Sequence, residues 1–438
     1  MDELWRRVEA LGTLAQMGWL VAVHIGAGRY GEHDEAKYLA LMRDALAHGE
    51  ALLKDASCSS STTATTGSSA AASLAALVAT RMLSVFERSE LTNAGRGANL
   101  TEGGHVECEA SVVCGKCKLV TACASVRGVA EPSALAHALL HQAAVNGETG
   151  DGQGPSTPAN SSSAFSHGRQ APLVVVGEHA RTLAREFGIE TVQRDDELDA
   201  FQVTPSAQAY WRKWHARFHT ETPDTESPSP PPANQSSLSL TDESLADELR
   251  LDTVGTICID PQGNVAAALS SGGIAYKVPG RVGIAGCPRM GCNASNLSSK
   301  ETRPRRKRKR SLPASDSERI PIDQNGFAVA CTGRGEHFIR SGLVARLSRA
   351  LTKCSSLEKA LRKAFVRGKE ENGDAPIEGG TLALTVSPLV HETEDPGEPK
   401  TAFQVQLGAA FSTPCMGVGF SCSSGSPHVQ ILRQPRPP

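Results

Sequence analysis

Aromatic residues are scarce in this chain: Phe, Trp and Tyr together make up only 4% of it. Its core must therefore be built from aliphatic and small side chains. The many Gly, Ser and Pro residues imply sizeable segments that do not pack. Net charge is nearly absent too, at −2, so the field of the whole molecule favours neither nucleic acid nor a membrane as partner. No apolar run approaches transmembrane length. The start, Met1-Asp2-Glu3-Leu4-Trp5, lacks the basic-then-apolar pattern of a signal peptide. The expected location is the reducing cytosol or the nucleus, where the twelve cysteines stay mostly as free thiols. Cys114-Gly115-Lys116-Cys117 has zinc-knuckle spacing, but the second pair that a structural zinc site needs is missing, Cys287 and Cys292 being looser. Neither a metal nor a cofactor is expected.

Helical and strand patterns are both present. Asp2 to Gln16 reads as an amphipathic helix, Leu20 to His24 as a short strand, and Asp34 to Leu53 as a helix with a broad apolar face. A further helix is predicted over Ala70 to Phe86. Paired strands are predicted over Val106 to Val113 and Leu119 to Ser125. A helix opened by Pro132 follows, tolerated there because the missing N–H would have no intrahelical partner. Leu173 to Val176 reads as a strand, with helices over Glu178 to Phe187 and Ala207 to His219. Past residue 253, strands are predicted over Val254 to Asp260, Val265 to Leu269, Gly379 to Val386, Thr401 to Leu407 and Met416 to Phe420. Helices are predicted over Gly335 to Leu351 and Leu357 to Val366. Three polar stretches, near 57–69, 150–170 and 220–245, read as loose insertions.

A fourth insertion, near 296–319, carries Arg305-Arg306-Lys307-Arg308-Lys309-Arg310. A basic run of this kind is either a solvated loop or a nuclear import signal. No aromatic residues interleave with it, which argues against a nucleic-acid clamp.

The most informative stretch is Asp252-Thr253-Val254-Gly255. A threonine hydroxyl is a poor nucleophile unless a base adjoins it, and the threonine's own α-amine can be that base. That amine exists only if the Asp252–Thr253 bond is cut, so the pattern fits a zymogen that cleaves itself there. Taken alone, the tetrapeptide reads as an ordinary β-branched strand opening. Its surroundings decide. A turn at Pro261-Gln262-Gly263-Asn264 sends a second strand back, which brings Ser271 toward Thr253. Gly272-Gly273 then allow close backbone approach. Arg281, in Pro279-Gly280-Arg281-Val282-Gly283, is a planar cation suited to holding a carboxylate through two parallel bonds.

At these residues the chain resembles the type-2 asparaginases, which are N-terminal-nucleophile hydrolases. Val23-His24-Ile25-Gly26-Ala27-Gly28 is similar to that family's first strand and glycine turn. Thr92-Asn93-Ala94-Gly95-Arg96-Gly97 is similar to its asparagine–glycine loop, and Val106-Glu107-Cys108-Glu109-Ala110-Ser111 to the strand after it. Cys331-Thr332-Gly333-Arg334-Gly335-Glu336-His337 looks like its threonine–glycine loop before a helix. The blocks run in the family's order from about Trp19 to Gly419. Within the family, Thr92 to Gly95, Glu107-Cys108, Asp252-Thr253, Ser270 to Gly273 and Gly335 to His337 resemble the threonine aspartase branch.

The resemblance implies an α+β fold, a four-layer αββα sandwich, made of an α-subunit 1–252 and a β-subunit 253–438 of one catalytic domain. It implies Thr253 as nucleophile with its freed amine as base, and Ser271 as the orienting hydroxyl. Thr332 Oγ and the Gly333 N–H become oxyanion donors, with Asn93 a further donor. Arg281, Lys37 and Gly28 fall at substrate-binding positions.

In the family's asparaginases an aspartate directly after the Gly-Arg-Val-Gly motif binds the substrate's amine. Here that position is Ile284, which cannot pair with an ammonium. The resemblance thus points to cleavage after aspartate inside proteins, at Asp–Gly-type bonds. The alternatives are an asparaginase, isoaspartyl peptidase or glycosylasparaginase acting on small substrates, or a non-catalytic nuclear binding protein. The branch's substrates are nuclear transcription and chromatin proteins: precursors of large histone methyltransferases and of general transcription factor IIA. A dimer, or a heterotetramer of two α and two β chains, is the implied assembly.

Overall fold

Strand β2 (Leu20–Gly28) is buried along its whole length, and the reason is legible in its alternation. Val21, Val23 and Ile25 enter one core, while Leu20 and Ala22 enter another. A strand's side chains point alternately to opposite faces, so both faces of its sheet are covered. The computed structural model describes residues 7–14, 18–31, 33–59, 72–147, 170–219, 253–298, 324–389 and 402–435.

The remaining strands are β1 (Arg7–Leu14), β3 (Cys108–Cys114), β4 (Val120–Val126), β5 (Val174–Val176), β6 (Val254–Ile259), β7 (Val265–Ser271), β8 (Cys292–Ser295), β9 (Gly326–Gly333), β10 (Gly379–Leu389), β11 (Ala402–Phe411), β12 (Cys415–Cys422) and β13 (His428–Arg433). They form two sheets, ordered β13-β12-β2-β6-β7-β3-β4-β5 and β1-β11-β10-β9-β8. The described helices are α1 (Glu35–Ser59), α2 (Leu74–Glu87), α3 (Pro132–Gly147), α4 (Glu178–Glu186), α5 (Leu198–Gln202), α6 (Pro205–His219), α7 (Gly335–Ser341), α8 (Leu343–Leu351) and α9 (Leu357–Glu371). The fold is thus α+β. One core joins Ala267 and Leu269 of the eight-stranded sheet to Ala330, Leu382 and Leu407 of the other. A second joins the outer face of the larger sheet to Met42, Leu46, Val78 and Met82 of α1 and α2. A third packs Phe338, Leu347, Leu361 and Phe365 of α7–α9 on the smaller sheet.

Three expectations are corrected. Residues 7–14, read as part of a helix, form an edge strand paired antiparallel with β11, its register shifting between Ala10 and Gly12. A glycine inside the segment weakens a helix, and sheet pairing supplies the backbone bonds instead. Gly335 to Leu351 is not one helix. It breaks at Gly342, whose φ of 59° is left-handed and ends α7 with a glycine cap. The loose loop expected from Ser57 begins later, because α1 runs on through Ser59. The rest of that insertion to residue 69, positions 150–169, 220–245 and 299–319, and the basic run lie outside the described residues.

The β6–β7 turn forms as its residues dictate. Asp260 Oδ1 accepts from the Gln262 and Asn264 N–H groups at 3.0 and 2.9 Å. The cysteines whose side chains are described are free thiols. Cys114 and Cys117 flank the β3–β4 turn. Among the described residues, no group of three or more His, Cys, Asp or Glu side chains could hold a metal. No described helix is long and apolar enough to cross a membrane.

Candidate active site

Thr253 immediately precedes β6, which lies between β2 and β7 in the larger sheet. The antiparallel register sets Val254 opposite Ser270, so the next rung places Thr253 across from Ser271. The Thr253 hydroxyl lies 3.3 Å from Ser271 Oγ and donates to it. Both residues are buried, at 5% and 2% exposure. Ser271 Oγ also accepts from the Gly273 N–H at 3.0 Å, which fixes the serine at the strand's end.

The turn after Ser271 is held from two sides. Asn93 Nδ2 and Asn99 Nδ2 both donate to the Gly273 carbonyl, at 2.8 and 2.9 Å. Lys277, only 3% exposed, donates to the Gly272 carbonyl at 2.9 Å. A Cβ on Gly272 would come within 2.5 Å of Ala98 and of the Asn93 side chain, so this close approach requires glycine. An amide NH₂ has two donors, and Asn93 commits one of them to this turn.

A pocket opens beside Thr253. Its lining includes Asn93, Ser271, Arg281, Ile284 and Gly333. Of the residues singled out in the sequence, the pocket brings together Thr253, Ser271, Asn93, Arg281 and Gly333. Thr332 is fully buried one position before Gly333, in the smaller sheet opposite Gly380. Lys37 is exposed on α1 and pairs with Asp34 at 2.7 Å; Gly28 ends β2 opposite Cys415. Neither lines the pocket. Asp252 lies outside the described residues.

Arg281 is well buried, with 14% of its side chain exposed, and its fork is engaged. Nε and Nη2 donate to Glu336 Oε1 at 2.9 and 2.7 Å, and Nη2 also to Oε2 at 2.8 Å. Burial alone would raise the Glu336 pKa, but the Arg281 bonds outweigh it and hold the carboxyl below its ordinary range. A second carboxylate, Glu109, lines the pocket and accepts from the Gly283 N–H at 2.6 Å. Burial pushes its pKa up, opposed by Lys277, the Gly283 bond and Arg281. Burial pushes the Lys277 ammonium the other way.

Glu109, Lys277 and Glu336 carry no role in the sequence reading. Glu109 and Glu336 sit inside two of the quoted blocks, so charge in otherwise glycine-rich or apolar motifs was the signal available.

His24 of β2 is fully buried beside Gly255. Both of its ring nitrogens are without a hydrogen-bond partner among the described residues. Burial pushes its pKa down to about 3, opposed only by a contact with the Thr253 backbone that falls short of hydrogen-bond geometry, so the ring beside Thr253 is neutral.

Behind the site, Glu87 is fully buried and accepts from Ser270 Oγ at 2.6 Å, from Ser133 Oγ at 2.7 Å and from the Ser133 N–H at 2.9 Å. Burial raises its pKa from 4.5 to about 7, the hydroxyl bonds opposing the shift. A raised folded-state pKa favours folding most when the carboxyl is protonated. This contribution is complete below the unfolded value of 4.5 and is lost as pH rises through about 7. A shift of this size corresponds to about 3 kcal/mol. Urea unfolding of Glu87→Gln, compared in the uncut Thr253→Ala background, should therefore lose that decline between pH 5 and 8, and the variant should match or exceed its parent at pH 8. An unchanged pH profile would show that Glu87 does not titrate in this range.

The arrangement suits acyl transfer. It combines a buried hydroxyl beside an orienting hydroxyl, a backbone turn held rigid, and a cation at the pocket wall. The family model described as Asparaginase (Asparaginase_2) matches residues 17–146 and 168–299, more than half of the chain. The isoaspartyl peptidase/L-asparaginase of Xenopus laevis is 26% identical over 63% of this chain and 67% of its own length. The isoaspartyl peptidase of Salmonella typhimurium is 24% identical over 74% and 75%. The plant-type L-asparaginase of Pyrobaculum calidifontis is 26% identical over 63% and 70%.

Proposed function

The chain belongs to the type-2 asparaginase family of hydrolases, and from that membership we propose that it is a self-processing threonine endopeptidase of the threonine aspartase (taspase) type, cleaving after aspartate. One observation carries the reading: Thr253 stands at the head of a central strand with its hydroxyl on Ser271, facing a pocket that pairs the Arg281 cation with a buried Ile284. In the precursor the Thr253 hydroxyl attacks the Asp252 carbonyl; the Asp252–Thr253 C–N bond breaks as the ester forms, which frees the Thr253 amine, and water then hydrolyses the ester to release the Thr253 hydroxyl and the Asp252 carboxylate. In the mature enzyme that amine accepts the Oγ proton as Oγ attacks the substrate carbonyl. The leaving amine takes a proton, and water then hydrolyses the acyl-enzyme. Ser271 orients the hydroxyl. The Gly333 N–H, Thr332 and the uncommitted Asn93 donor face the developing oxyanion. Two facing sheets with helices outside give this reading its αββα layering. Lys37 would join Arg281 only by turning from Asp34.

A second reading is favoured by the relatives' names, isoaspartyl peptidase and L-asparaginase. It is also favoured by Glu109, a pocket carboxylate that a substrate ammonium could meet. The two readings part on substrate. Mature protein should cut peptides with an internal Asp–Gly bond, detected by mass spectrometry, and release little ammonia from free asparagine. Rapid turnover of asparagine or isoaspartyl dipeptides with intact Asp–Gly peptides would establish the second reading instead.

The protease reading brings proposals on location and assembly. The basic run Arg305 to Arg310 would carry the protein into the nucleus, toward chromatin and transcription proteins. Replacing the six residues with Ala should shift a fluorescent fusion to the cytoplasm, and unchanged localisation would mark the run as a solvated loop. Sedimentation of the mature protein as a lone αβ unit would rule out the α₂β₂ assembly.

A further inference from the structure

A guanidinium offers two edges for parallel bonds to a carboxylate, Nη1 with Nη2 and, facing Glu336 here, Nε with Nη2. Glu336 already holds that edge through three contacts of 2.7–2.9 Å. The third nitrogen, Nη1, is turned toward Gly273 and Gly283: a Cβ on either would lie 3.1 or 2.9 Å from it. Both glycines line the pocket, so a ligand meets Nη1 there, but the Nη1–Nη2 edge shares the nitrogen that both Glu336 oxygens already hold.

The two partners differ in freedom. Arg281 is walled in at 14% side-chain exposure, whereas 49% of the Glu336 side chain meets solvent. Glu336 also stands in the first turn of α7, near Arg334. If one of the pair leaves, it is Glu336, which can turn outward to water; Arg334 is itself paired with Glu378 at 2.7 Å.

We propose that Glu336 is an internal competitor for the substrate carboxylate, occupying the Arg281 fork until an aspartyl side chain replaces it. The inference rests on the reading of Arg281 as the substrate-carboxylate fork. Its chemistry is an exchange of like for like: one carboxylate leaves, another enters, and the guanidinium stays paired throughout. The cost of releasing Glu336 falls on every incoming anion alike. A small free anion has little else to offset that cost, so it leaves the pocket empty. An aspartyl residue held by its flanking peptide backbone gains further contacts and reaches useful occupancy. In the same way, Arg281 is never left buried and unpaired while the pocket is empty.

The test uses 3-acetamidopropanoate, an aspartyl residue stripped of its scissile carbonyl, titrated calorimetrically into mature protein. Wild type should bind it weakly. Glu336→Gln, which keeps the shape but gives up the charge, should bind it about tenfold more tightly. Glu336→Ala, which empties the fork, should bind at least as tightly as Glu336→Gln; either variant suffices if the other does not mature. Affinity equal to or below wild type in both would overturn the proposal and make Glu336 a support that orients Arg281. The underlying reading fails separately, through Arg281→Met: if that variant binds the probe as wild type does, Arg281 is not the carboxylate fork.

Discussion

Thr253→Ala should leave the chain in one piece. On a denaturing gel it should run as a single band near its full 46.1 kDa, while wild type resolves into two fragments that meet at Asp252/Thr253. The variant lacks the hydroxyl that attacks the Asp252 carbonyl, so no ester forms and no α-amine is released. Peptide hydrolysis should be lost with it, because nucleophile and base are two groups of the same residue. Thr253→Ser keeps the hydroxyl and should still process, which separates loss of chemistry from loss of fold. N-terminal sequencing of the smaller wild-type fragment should read Thr-Val-Gly-Thr-Ile. A stable single wild-type chain with full activity would remove Thr253 from the mechanism.

Arg281→Lys should lose most of the activity on aspartyl peptides while leaving self-cleavage measurable on its own. A lysine ammonium is a point charge and cannot make two parallel bonds to one carboxylate. Losing one charge-assisted bond costs about 1.5–3 kcal/mol, so kcat/KM should fall roughly ten- to a hundredfold. Ile284→Asp tests the other wall of the pocket. It places a carboxylate where the buried isoleucine now excludes an ammonium. The protease should weaken and binding of free asparagine should strengthen. A variant with unchanged preference would show that position 284 does not select the substrate.

The neighbourhood of Thr253 was legible because it is local. The Pro261 to Asn264 turn fixes the return of β7, and that return alone brings Ser271 to Thr253. Strands β8 and β9 were not foreseen, nor was β13. Cys292-Asn293-Ala294-Ser295 has no β-branched or aromatic residue to signal a strand. Gly326 to Gly333 pairs glycine with glycine at the point where β9 meets β10, a closeness that tertiary packing demands and periodicity does not show. The Glu336–Arg281 pair joins residues 55 positions apart, and only the meeting of α7 with the pocket loop reveals it. The first residues show the reverse: an amphipathic pattern invited a helix, but the open edge of β11 captured the segment as a strand.

Strand order has a consequence for what cutting the chain can do. Across the larger sheet, β13 and β12 come from beyond residue 253, β2 from before it, β6 and β7 from beyond, and β3, β4 and β5 from before. The two products of a cut at Thr253 would thus be woven together like the teeth of a zip, each strand boundary stitched by backbone hydrogen bonds. In the larger sheet neither half owns more than three adjacent strands, so neither can close that layer alone. Scission would free one amine and slacken one loop while the molecule stays whole. Once denatured apart, the halves would have to find each other and rebuild the weave strand by strand. A mature protein unfolded in urea should therefore recover activity poorly, and in proportion to its concentration, whereas the uncut Thr253→Ala chain should refold at a rate independent of it.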